Sequence, residues 1–150
     1  MKSQFPTIIS QIEALIEGET DVIANMANIS AVLFNALSEV NWAGFYRVVD
    51  KQLVLGPFQG QPACIRIPIG KGVCGTAVSE QRIQLIDDVH QFDGHIACDT
   101  ASQSEIVLPI WHGKEIVAVL DIDSPVLARF TQNDAEHFQL IVKLLEKTMQ

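Results

Sequence analysis

The residue types in this chain able to do chemistry are three cysteines, at positions 64, 74 and 98, and a set of carboxylates toward its C-terminal end. The cysteines sit in PACIRIP, GVCGTA and HIACDT, 10 and 24 residues apart, whereas a structural zinc site draws on close pairs such as CxxC. No metal is expected from that spacing. Free cysteine is among the most buried residue types, so Cys64 on an alternating segment and Cys74 at a helix start fit plain packing as well as chemistry. Cys98 differs: it stands among His95, Asp99 and Thr100, in polar sequence where no core is expected. An accessible cysteine reacts as its thiolate, which needs a donor or positive dipole to offset nearby acids.

The carboxylates supply the second pattern. In the segment EIVAVLDID (115–123), the two-residue period of a strand puts Asp121 and Asp123 on one face, at the end of an otherwise apolar run. Two carboxylates side by side raise one another's proton affinity, and such a pair can hold a proton for general acid catalysis. Glu105 opens the preceding strand and joins them if the hairpin register allows. A solvated strand end is the competing reading. The histidines, His90, His95, His112 and His137, form no HxH or HxxxH pair on one element, which leaves a metal role without support.

The apolar spacing predicts an amphipathic helix from near Pro6 to Gly18 and a second one, capped by Thr20, that continues to about Ser38. After Val40 the period shortens to two, giving strands at 42–49 and 52–55 joined at Asp50 and Lys51. Further alternation at 63–68, a short helix at 73–80 and a strand at 82–86 follow. Residues 87–104 are polar and aperiodic and read as a long loop holding Cys98. Two strands, 105–110 and 115–122, then precede a last helix whose start carries Thr131 and Asp134 in capping-box spacing. Helices at both ends around hairpin-linked strands predict an α+β domain with a central antiparallel sheet. With no repeat, linker or low-complexity tract, residues 1–150 are expected to form one domain.

Composition narrows the partners. Ten Lys plus Arg against 18 Asp plus Glu give a net charge of -8, which repels nucleic acid and anionic membrane. No apolar run approaches the roughly 20 residues of a bilayer span, and the first residues lack the unbroken apolar centre of a signal peptide. Cytoplasmic residence is the resulting expectation. Three cysteines in a reducing compartment do not make a permanent disulfide framework.

Taken together, NWAGFYRV, DGHIACD, SEIVLPI and VLDIDSP resemble the free methionine-R-sulfoxide reductase family of stand-alone GAF-type domains, from about Trp42 to the final helix. The resemblance implies a GAF-like fold and reduction of free L-methionine-(R)-S-oxide to methionine without a metal or organic cofactor. It also implies Cys98 as nucleophile, Cys64 as its resolving partner and Cys74 as the third family cysteine. Glu105, Asp121 and Asp123 match the acids that hold the substrate's amino group and sulfoxide, and Trp42 matches an aromatic near its methyl group. Thioredoxin or a comparable dithiol is the implied reductant, and the apolar N-terminal helices could pair in a homodimer. A GAF fold alone also fits a non-catalytic sensor of a small molecule or of redox state.

Overall fold

Helices α1 (Phe5–Ile16) and α2 (Val22–Ala36) open the chain, in a computed structural model that describes residues 4–94 and 101–150. Pro6 lies in the first turn of α1, where its missing N–H costs no hydrogen bond. Asp21, not Thr20, caps α2: its backbone is extended as a cap requires, and its side chain accepts from the Ala24 N–H at 3.0 Å. Strands β1 (Trp42–Val49), β2 (Gln52–Gly60) and β3 (Arg66–Pro68) follow, then α3 (Gly72–Glu80) and β4 (Gln84–Ile86). A 3₁₀ turn at Val89–Gln91 leads on to β5 (Ser104–His112), β6 (Glu115–Ser124) and α4 (Gln132–Thr148). Thr131 and Asp134 form the expected reciprocal capping box.

The strands make one antiparallel sheet in the order β3-β2-β1-β6-β5-β4. Strand alternation splits its central side chains into two layers. Ala43, Phe45, Ile106, Leu108, Ile110, Ala118, Leu120 and Ile122 point to one face, where α1, α2 and α4 bury them in the larger core. Trp42, Tyr46, Val107 and Val119 point to the other and meet Val73, Cys74 and Ala77 of α3. The larger core anchors the sheet, which leaves the second face to build a site. The helical faces are narrower than the apolar period suggests: Leu15, Ile23 and Leu140 remain 45%, 42% and 51% exposed.

The strand expected over 63–68 shrinks to Arg66–Pro68, and β2 extends to Gly60. Pro62 has no N–H to give a ladder, and between residues 61 and 65 the backbone carbonyls find other donors. Leu55 N–H reaches Ile65 O at 2.8 Å, while side chains of β1 bond the carbonyls of Gln61 and Cys64. Cys64 therefore precedes the strand. Among the described residues, no helix is long and apolar enough to cross a membrane.

Candidate active site

Register assembles the acids. Glu105 near the start of β5 pairs with Asp123 near the end of β6, and Asp123 pairs on its other side with Trp42 at the start of β1. Asp121 lies two residues earlier on the same face, between Val107 and Gly44. The three carboxylates and Trp42 thus occupy one corner of the sheet face that α3 covers. They are not a solvated strand end: Glu105, Asp121 and Asp123 are 7%, 5% and 8% exposed.

Helix α3 closes this corner with a thiol. Cys74 Sγ, one oxygen of Glu105 and one of Asp121 all lie within 4.8 Å of one another. Gly75 lets α3 pack on the turn after β3, since a Cβ there would come within 2.5 Å of the Pro68 carbonyl. The opposite wall is aromatic. Trp42 stacks on Phe58 with centroids 5.1 Å apart and lies 6.0 Å from Tyr46. Gly44 makes room for Phe58, since a Cβ there would meet the Phe58 Cβ at 2.2 Å.

The electrostatics follow from burying like charges together. Burial pushes the Asp121 carboxyl well above its usual range, and the neighbouring charge of Asp123 pushes it further. Glu105 is raised in the same direction, first by burial and then by Asp121. Asp121 Oδ1 is buried without a donor, so its contacts to Glu105 and Asp123 become hydrogen bonds only where a carboxyl keeps its proton. No lysine or arginine pairs with Glu105 or Asp121 among the described residues. Glu105 and Asp121 therefore favour protons or a bound cation over two free charges. Burial, followed by Asp121 and Glu105, also drives the Cys74 thiol upward, which makes it a poor thiolate. The Tyr46 phenol is raised too, by burial and then by Asp121, and stays protonated.

The structure thus brings together Trp42, Cys74, Glu105, Asp121 and Asp123. Cys64 is half-buried and packs beside the same aromatic cluster; its sulfur is disulfide-bonded, while Cys74 is a free thiol. Cys98 and its neighbours His95, Asp99 and Thr100 lie outside the described residues. Sequence reasoning passed over Tyr46, whose hydroxyl donates to the Cys64 carbonyl at 2.8 Å. Its position four residues after Trp42 on one strand, and so on the same face, was the available signal. As a donor set, Cys74, Glu105 and Asp121 have the spacing to hold a cation.

A curled antiparallel sheet with helices on one face and α3 over a buried acidic corner on the other fits a GAF domain, and residues 24–150 match the GAF domain family. The free methionine-R-sulfoxide reductase of Escherichia coli (strain K12) is 57% identical over 136 residues, which cover 91% of this chain and 82% of that protein. A structure of fRMsr of Staphylococcus aureus in complex with substrate superposes with a TM-score of 0.94 at 53% identity, covering 99% of this chain and 97% of that one. The free methionine-R-sulfoxide reductase of Neisseria meningitidis, in complex with its substrate, gives a TM-score of 0.94 at 41% identity over 99% and 91% of the two chains. This chain belongs to the free methionine-R-sulfoxide reductase family and is an oxidoreductase.

Proposed function

We propose that this protein reduces free methionine-R-sulfoxide to methionine with Cys98 as nucleophile. The observation that carries the reading is the buried meeting of Glu105, Asp121 and Asp123 beside Trp42, in a family whose named members act on this substrate. A sulfoxide sulfur becomes electrophilic as its oxygen gains a proton, so thiol attack needs a proton donor held at neutral pH. Carboxyls whose proton affinity is raised by burial and by each other meet that need. The substrate's ammonium group supplies a cation for Glu105 and Asp121, and the aromatic wall of Trp42 and Phe58 suits its S-methyl end. A peptide-linked methionine has no free ammonium, which accounts for selection of the free amino acid.

In this scheme the Cys98 thiolate attacks the sulfoxide, oxygen passes to the Cys98 sulfur, and methionine leaves as the thioether. The sulfenic acid then condenses with the Cys64 thiol, forming an S–S bond and releasing water. Thioredoxin, or another dithiol, reduces the disulfide by exchange. Cys74 supports the acid corner as a neutral thiol. The protein works as one domain in the cytoplasm, and its N-terminal helices provide a pairing face for a homodimer.

A thioredoxin-coupled assay of NADPH consumption tests the reading. Cys98→Ser is expected to abolish turnover while its circular dichroism stays that of the parent. Turnover retained in that variant would overturn the assignment.

A further inference from the structure

Cys64 lies in a segment without regular structure, between β2 and β3, and two buried aromatic side chains of β1 hold that segment. Trp42 Nε1–H donates to the Gln61 carbonyl at 3.1 Å, and Tyr46 Oη–H donates to the Cys64 carbonyl at 2.8 Å. Each ring has a single polar donor, and both donors are spent on this one stretch. The rings stack with centroids 6.0 Å apart and 22° between planes, so each fixes the other's orientation. Both are 2% exposed, which removes water as a competing partner for their hydrogens.

From this geometry we infer that Tyr46 is a positioning residue for the resolving step: its hydroxyl holds the Cys64 backbone where that sulfur closes the disulfide. The inference rests on the proposed role of Cys64 as the resolving cysteine. Closure converts Cys98–S–OH and HS–Cys64 into Cys98–S–S–Cys64 and water; the S–O bond breaks, the S–S bond forms, and the Cys64 proton leaves with the hydroxyl. No outside oxidant enters. The Tyr46 bond is present with the Cys64 sulfur in a disulfide, so it belongs to the closed geometry and favours the approach to it. Held backbone at the thiol shortens the search that a loose loop would make before each closure. Burial, and then the acids around Tyr46, oppose loss of its proton, so the bond keeps its donor across the working pH range.

The test is single-turnover kinetics on reduced, full-length enzyme mixed with substoichiometric substrate. Methionine release and disulfide formation are followed separately, and a dimedone-type trap with mass spectrometry reads the sulfenic acid. Tyr46→Phe keeps the ring and removes only the hydroxyl. We expect closure to slow about tenfold relative to methionine release, with trapped sulfenic acid rising accordingly, since a lost hydrogen bond to a fixed carbonyl is worth about that factor. An unchanged ratio of the two rates, including equal slowing of both, would overturn the positioning role. Cys64→Ser separates the two ideas: sulfenic acid as short-lived there as in the parent would remove Cys64 from the resolving step and the inference with it. Long-lived sulfenic acid in Cys64→Ser upholds that step and leaves Tyr46→Phe to decide.

Discussion

Glu105 and Asp123 face each other as a cross-strand pair on β5 and β6, both buried, with Asp121 two residues along the same face. Like charges set directly opposite on a sheet destabilise it, and burial adds to that cost. The arrangement makes sense where the site must hold a proton and receive a cation.

Each carboxyl should therefore matter to catalysis more than to folding. Glu105→Gln, Asp121→Asn and Asp123→Asn preserve shape and remove charge. Each is expected to lower kcat/KM by about 10²-fold or more, the usual scale for a lost acid-base group. Steady-state assay of the three variants checks this, and values within threefold of the parent would count against the acidic corner.

Stability should move the other way, with a definite pH sign. The carboxyls of Glu105 and Asp121 have folded-state proton affinities raised above those of the unfolded chain. Stability from such groups is fully present below the unfolded carboxyl range near pH 4, and is lost as pH rises through the raised folded values. Asp121→Asn removes that loss. Its melting temperature should exceed the parent's at pH 8, by an amount equivalent to about 1–3 kcal/mol, and the gap should narrow at pH 5. Melting curves at both pH values decide the matter.

Cys74 should be silent toward alkylation in the native protein. It is 4% exposed, and burial and neighbouring acids hold its thiol protonated. Iodoacetamide labelling followed by mass spectrometry is expected to modify Cys74 only after denaturation. Rapid native labelling would mean the pocket opens far more than its packing implies.

Gly44→Ala tests the aromatic wall. Its Cβ would meet the Phe58 Cβ at 2.2 Å and the Phe58 Cα at 2.7 Å, so Phe58 must leave its stack on Trp42. Overpacking of this kind costs about 1–3 kcal/mol. Denaturant unfolding gives that cost, and a rise in KM for substrate should accompany it.

Much of this site was legible in the sequence because strand alternation is a local property. The two-residue spacing of Asp121 and Asp123 set them on one face, and the apolar run before them marked that strand as interior. Their burial was not legible, since it depends on α3 lying over the sheet. Nor was the meeting with Glu105, which register alone decides. The alternation from Ala63 to Pro68 predicts a strand through Cys64, yet side-chain donors from β1 take the carbonyls of Gln61 and Cys64. The α2 cap moved by one residue, from Thr20 to Asp21, because both types cap well and only backbone geometry chooses between them.

If this pocket reduces one sulfur epimer of free methionine sulfoxide, exhaustive turnover of racemic L-methionine-(R,S)-sulfoxide with a thioredoxin recycling system will distinguish the two epimers. Chiral chromatography of what remains should show the R epimer gone, the S epimer intact and methionine formed in an amount equal to the R epimer lost. Consumption of both epimers, or of neither, would rule out an R-specific reductase.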